Sequence, residues 1–244
     1  GDVTGISAGG YHSMFLSTVG GSYACGANVY GQLGDDTTVN KDVPTYITGD
    51  VTGIAAGSDF SMFLSTGSVA YACGLNNSNQ LGDGTTVNKW VPTHITGDVT
   101  GVSAGGDHSM FLSTVGDSYA CGANVYGQLG DDTTSSKSVP TSITGDVTGI
   151  SAGGYHSMFL STGSGAYACG YNAQGQLGDG TTANKDVPTH ITGNVSGISA
   201  GYLHSMFFSS GKNYYACGLN DYGQLGDGTT VNKDVPTYIS GQGA

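Results

Sequence analysis

Five cysteines stand 48 residues apart, at Cys25, Cys73, Cys121, Cys169 and Cys217. A thiolate is a nucleophile and a metal ligand, so this series is the first place to look for chemistry. A metal needs ligands converging within about 2.3 Å of one ion, usually from closely spaced pairs. One cysteine per repeated position supplies no such pair, and an odd number is not a disulfide framework. These residues read as small buried hydrophobes.

Histidines form a second series, at His12, His108, His156 and His204, with Phe60 in the remaining place. A ligand or general base is not replaced by Phe, whereas a packing residue can be, so this series reads as structural. His94 and His190 stand at another position, shared with Tyr46, Ser142 and Tyr238, and read as surface or contact residues. Acidic loops form a third series: Asp35-Asp36, Asp83-Gly84, Asp131-Asp132, Asp179-Gly180 and Asp227-Gly228. Calcium takes about six to eight oxygens, and the spacing fits neither an EF-hand nor the glycine-rich nonapeptide repeat. Asx-turn chemistry accounts for Asp and Gly here without an ion, with calcium as the alternative. Gly31, Gly127, Gly175 and Gly223 are matched by Asn79, which marks a left-handed backbone position. No nucleophile, base and orienting group fall into a set. The chain reads as no enzyme, with no catalytic residue, no metal and no cofactor.

These series need elements to carry them, and the period defines the elements. The units run 1–48, 49–96, 97–144, 145–192 and 193–240 without insertion or deletion, with Gly241–Ala244 left over. Prolines keep the same step, from Pro44 to Pro236. Within the first unit, a Gly1-Asp2 turn leads into an apolar, β-branched run at 3–8. His12 to Ser17 is a second strand, Val19-Gly20-Gly21 a hairpin turn, and 22–26 a third strand. Residues 28–38 form a loop rich in Gly, Asn and Asp. A fourth strand at 43–48 contains Pro44, which confines it to an edge or a strand start. No segment holds a helical period for ten residues. Four short strands per unit of this length predict a β-propeller blade.

Composition agrees. The chain has 44 glycines among 244 residues, and neither glutamate nor arginine, so good helix formers are scarce. Six Lys against 18 Asp leave a formal charge of −12. Nucleic acid needs phosphates neutralised by Lys and Arg, which excludes it as a partner. No apolar run is long enough to span a membrane. A chain that begins at Gly1 and not at Met reads as processed or excised. Its Gly, Ser, Thr and Asn content fits a secreted or surface-displayed repeat protein.

The repeated motif resembles the regulator-of-chromosome-condensation repeat. Its residues here are Ala8-Gly9, His12-Ser13-Met14-Phe15-Leu16, Tyr23-Ala24-Cys25-Gly26-Ala27-Asn28, Gly31-Gln32-Leu33-Gly34 and Val43-Pro44. The resemblance covers the whole chain and implies an all-β propeller of four-stranded antiparallel blades. This sequence departs from it twice. Members of that family usually have seven blades, and Cys stands where they usually carry Trp. The expectation is a single five-bladed propeller domain over 1–244, with part of a larger propeller or longer array as the alternative. Relatives that act as nucleotide-exchange factors use an inserted wedge, which five uninterrupted units lack. Ultraviolet-sensing relatives use clustered tryptophans, and only Trp90 is present. Relatives that inhibit enzymes through loops on one propeller face leave a protein-inhibitor role open.

Positions that differ between copies are not required for blade geometry, so binding residues are sought there. They are Tyr11, Asp59, Asp107 and Tyr155 before the second strand, Tyr30, Tyr126, Gln174 and Tyr222 after the third, and Trp90 beside Lys89. Tyrosine offers an amphipathic surface at low entropic cost. The expected function is a non-catalytic module presenting repeated loop sites to a protein or glycan. The alternative is a self-associating structural module of a surface layer, fibre or adhesin.

Overall fold

The computed structural model describes residues 2–239. Gly1, Ser240 and Gly241–Ala244, and with them the expected Gly1-Asp2 turn and the trailing segment, lie outside the described residues. The described residues form five four-stranded antiparallel sheets, one per repeat, each a meander in chain order. The chain divides into two compact units: one comprises the chain up to Ala123 with Ser136–Ser142, the other Asn124–Ser135 with the chain from Ile143.

In the first unit, repeat 1 forms β1 (Val3–Ala8), β2 (His12–Ser17), β3 (Ser22–Gly26) and β4 (Lys41–Thr48). Repeat 2 forms β5 (Val51–Ala56), β6 (Phe60–Ser65), β7 (Ala70–Gly74) and β8 (Lys89–Thr96). Repeat 3 forms β9 (Val99–Ala104), β10 (His108–Ser113), β11 (Ser118–Gly122) and β12 (Lys137–Thr144). In the second unit, repeat 4 forms β13 (Val147–Ala152), β14 (His156–Ser161), β15 (Ala166–Gly170) and β16 (Lys185–Thr192). Repeat 5 forms β17 (Val195–Ala200), β18 (His204–Ser209), β19 (Tyr214–Gly218) and β20 (Lys233–Ile239).

The β2–β3 turn shows why these residues make hairpins. Gly20 takes φ +75°, and Ser68 and Ser164 take +59° and +60° at the same place. The positive φ matches the strand twist, and the Ser17 hydroxyl accepts from Gly21 N at 3.0 Å. The fourth strand begins at Lys41, two residues before the expected Val43. Lys41 pairs opposite Gly26, and its ammonium reaches the Asp35 carboxylate at 3.0 Å. Pro44 is tolerated because β4 pairs with β3 alone.

The long β3–β4 connection is organised around one buried asparagine. Asn28 Nδ2 donates to Asp35 Oδ1 at 2.8 Å, to Thr37 O at 3.0 Å and to Val39 O at 3.2 Å. Its Oδ1 accepts from Leu33 N at 3.0 Å. Burial works to raise the Asp35 pKa, but hydrogen bonds from Thr37, Lys41 and Asn28 outweigh it and hold the carboxyl below its usual value. The acidic loop is thus a side-chain-stapled turn, and its first carboxylate is already engaged. Asn79 takes φ +65° where Gly31 takes +82°, as the Gly-to-Asn exchange predicts.

Each sheet has two faces, and repeats pack through them. Met14, Leu16, Ala24 and Leu33 of repeat 1 meet Val51, Phe63 and Cys73 of repeat 2. Met62, Leu64 and Leu81 of repeat 2 meet Val99, Phe111 and Cys121 of repeat 3. In the second unit, Met158, Ala168 and Leu177 meet Val195, Phe207 and Cys217. A sheet covered on both faces needs a continuous apolar strand rather than an alternating one. That accounts for Phe-Ser-Met-Phe-Leu in β6, all five of which are buried. Polar locks cross the same seams. Ser61 Oγ donates to Gln32 O at 2.6 Å, and His12 Nε2 lies 2.8 Å from Ser61 Oγ.

Candidate functional site

An antiparallel meander sends the β1–β2 and β3–β4 connections out at one end of each sheet and the hairpins out at the other. Most of the variable residues sit on the first end. There a glutamine side chain joins the long loops of repeats 1 and 2 to the next repeat. Gln32 Oε1 accepts from Tyr30 N at 3.0 Å, and its amide donates to Asp59 Oδ1 at 3.3 Å. Gln80 repeats this with Ser78 N at 2.8 Å and Asp107 Oδ1 at 3.3 Å. Burial raises the pKa of both aspartates, and for Asp107 the charge of Asp59 adds to the rise. The first unit therefore presents two mutually repelling, partly desolvated carboxylates on its loop end.

The second unit presents tyrosines instead. The Tyr126 and Tyr155 rings lie 5.7 Å apart, and Tyr171 sits 4.9 Å from Tyr126 and 6.3 Å from Tyr155. Tyr202 joins at 5.3 Å from Tyr155, with the two hydroxyls 2.7 Å apart. Tyr202 occupies the place of Gly10, and it fits because Gly154 faces it. A Cβ on Gly154 would stand 2.6 Å from the Tyr202 ring. Tyr202 is 58% exposed, and the other three rings are partly buried. Rings in mutual contact, with the exposed Tyr155–Tyr202 hydroxyl pair beside them, make a firm, amphipathic contact surface.

Other variable residues are dispersed. Tyr11 is 74% and Tyr222 91% exposed, and neither makes a ring contact among the described residues. Tyr30 is fixed by its backbone bond to Gln32. Gln174 Oε1 accepts from Asn232 Nδ2 at 2.8 Å. Trp90 lies over Gly31, and its carbonyl accepts from Asp36 N at 3.0 Å. The structure thus brings Asp59 near Asp107 and Tyr126 near Tyr155. Sequence reasoning missed Tyr171 and Tyr202. Both differ from their counterparts Ala27 and Gly10, and that difference was the available signal.

The repeated Cys and His series do structural work. Four of the five cysteines are buried and all are free thiols. Burial, and then the charge of Asp35, push the Cys73 thiol well above its ordinary range, so it is no thiolate. Burial lowers His12 and His108 from near 6.5 to about 4. These imidazoles are neutral at ordinary pH. His94 and His190 pack edge-on against Tyr71 and Tyr167 across the strand pair, at 5.8 and 5.2 Å, which gives them a packing role. A groove of about 750 Å³ lies at the hairpin end of the second unit, lined by His190, Asn194, Phe207, Ser209 and Pro236. His190 is engaged there in edge-on packing against Tyr167, so the loop end remains the better candidate.

Comparison with known proteins fits this architecture. The family model of the RCC1-like domain matches residues 1–243. Human WBSCR16 superposes with TM-score 0.89 at 26% identity, over 99% of this chain and 68% of that one. Yeast RCC1 (Prp20) bound to Kap60 superposes with TM-score 0.88 at 21% identity, over 98% of this chain and 61% of that one. Prp20p from Saccharomyces cerevisiae, described with its binding to Gsp1p and histones, gives 0.87 at 22%, over 98% and 64%. The chain therefore spans less than two thirds of the yeast chains. No curated protein matches the sequence.

Proposed function

The chain belongs to the RCC1-like domain family, and on that footing we propose that it is a non-catalytic interaction module whose loop end binds a protein partner. The observation that carries this reading is the cluster of Tyr126, Tyr155, Tyr171 and Tyr202, ordered by ring contacts and by the Tyr155–Tyr202 hydroxyl bond. Four tyrosines from four connections converge there, and two of them, Tyr171 and Tyr202, depart from the repeat. Aromatic anchors of this kind dominate binding energy at protein interfaces. The net charge of −12 and the Asp59–Asp107 pair favour a partner with cationic groups. The partners of yeast RCC1 (Prp20), namely Kap60, Gsp1p and histones, are proteins too.

A glycan is the second reading. The exposed face of Tyr202 beside the Tyr155 hydroxyl offers a ring for stacking and a polar neighbour for sugar hydroxyls. A glycan array probed with the wild-type chain and with Tyr202→Ala separates the two. Sugar binding lost in the variant supports the glycan. Silence on the array, with protein capture sensitive to the same variant, supports the protein. Composition supports a secreted or surface-displayed location, which cell fractionation tests.

A further inference from the structure

Two segments match the acceptor pattern Asn-x-Ser/Thr for N-linked glycosylation: Asn76-Asn77-Ser78 and Asn194-Val195-Ser196. A glycan is bulky and hydrated, so its asparagine must reach water in the folded chain. The fold separates the two segments on that ground.

Asn76 is closed. It is fully buried, and its Nδ2 donates to Asp83 Oδ1 and to the carbonyls of Thr85 and Val87. A bond from this nitrogen to a sugar removes one of its two protons and sets a ring where the loop packs. A chain modified there cannot close the β7–β8 connection.

Asn194 is open. It stands in the turn between β16 and β17 with φ +57°, and it is exposed. The fold uses its backbone: its carbonyl accepts from Ser210 N at 2.8 Å. Among the described residues no hydrogen bond holds its side chain. Asp50, Asp98 and Asp146 make the same turn with φ of 55°, 56° and 56°, and all three are exposed. Their carbonyls accept from Thr66, Thr114 and Thr162 N at 2.8 Å. The exposure of Asn194 therefore belongs to the turn, wherever in the chain the turn recurs. Ser196 is exposed as well, and its hydroxyl donates to Phe208 O at 3.3 Å.

The open segment is also a departure from the repeat. The other four units read Asp-Val-Thr at this place, from Asp2, Asp50, Asp98 and Asp146. They carry the hydroxyl two residues on but lack the amide nitrogen. Asp and Asn both tolerate the left-handed backbone, so turn geometry does not require the exchange. Its chemical effect is to remove a charge and to complete the acceptor pattern.

We propose that Asn194 is the acceptor of an N-linked glycan. The proposal rests on the secreted or surface-displayed location given above. The donor is an oligosaccharide carried on a lipid diphosphate. Asn194 Nδ2 forms a bond to the anomeric carbon, and the bond from that carbon to the diphosphate oxygen breaks. The lipid diphosphate leaves, and one Nδ2 proton passes to a base of the transferring enzyme. Transfer precedes closure of β17, because the folded chain holds the Ser196 hydroxyl on the Phe208 carbonyl. Val195 N donates to Ser164 O of the repeat 4 hairpin at 2.8 Å, so the glycan stands at the hairpin end and leaves the tyrosine end free.

Expression of the whole chain behind a secretory signal in a eukaryotic cell is the test. The cell supplies enzyme and donor, so the result does not depend on the native location, which fractionation tests separately. The wild type is expected to carry one glycan, seen as a mass increase that peptide N-glycosidase removes and that maps to the peptide holding Asn194. Asn194→Asp restores the residue of the other repeats and loses the glycan with unchanged circular dichroism. Ser196→Ala loses it too, and Ser196→Thr keeps it. Secreted and cell-retained chains are both read, so a retained variant still reports. An unmodified wild type overturns the proposal. So does a glycan that persists in Asn194→Asp or that maps to Asn76 in the folded chain.

Discussion

Tyr155 and Tyr202 join repeats 4 and 5 through a hydroxyl-to-hydroxyl hydrogen bond of 2.7 Å on the exposed loop end. Partly solvated pairs of this kind add little to stability, because water replaces either partner. Tyr202→Phe is therefore expected to shift unfolding free energy by less than about 0.5 kcal/mol. Urea denaturation checks this, and a larger loss would make the cluster a structural feature before a binding one.

Asn76 holds its loop as Asn28 does, donating to Asp83 at 2.9 Å, Thr85 O at 3.0 Å and Val87 O at 3.2 Å while accepting from Leu81 N at 3.0 Å. It is fully buried. Asn76→Ala strands several of these groups, and a loss on the order of 3 kcal/mol is expected. Asn76→Asp is expected to be worse, because it sets a second carboxylate against Asp83. Both are read from urea midpoints.

The left-handed loop position gives a paired test. Asn79→Gly is expected to be near neutral, since four repeats carry Gly there. Gly127→Ala meets φ +79° and places a Cβ 2.6 Å from Asp186 Cα. The expected cost is on the order of 2 kcal/mol or more. Thermal unfolding of the two variants against wild type distinguishes them.

Acid should loosen the seams between repeats. Burial depresses His12 and His108 from near 6.5 to about 4. Between those values the unfolded chain binds protons that the folded chain refuses. Stability is complete above the unfolded pKa and falls as pH drops from about 6.5 towards 4, by up to ~3 kcal/mol per histidine. The Asp35, Asp83 and Asp179 carboxyls, held below their usual range, add their own loss at lower pH. Urea unfolding at stepped pH should show a decline that starts near neutrality.

The scaffold was legible because the period displays it. Cys25 and its four partners fix the repeat, Gly20 and Gly31 mark the turns, and Asn79 identifies the left-handed position. The Lys41–Asp35 ion pair was equally visible as an unvarying six-residue spacing, and reading it would have started β4 at Lys41. The tyrosine cluster was half legible. Tyr126 and Tyr155 lie on different repeats, and only the antiparallel meander brings their loops to one end. Tyr202 became part of the cluster through the space left by Gly154, a tertiary fact. Burial was not legible in the motif: Val3 and Val51 are the same residue at the same place in the repeat, yet Val3 is exposed and Val51 is buried.

The central claim is that the tyrosine end binds a protein. Quantitative mass spectrometry of proteins retained by the immobilised chain tests it most directly, using the wild type, Tyr126→Ala/Tyr202→Ala, and Val19→Ala/Val115→Ala at the hairpin end. At least one protein is expected to be enriched by the wild type, kept by the hairpin-end variant and lost by the tyrosine variant. Equal retention by all three would contradict it.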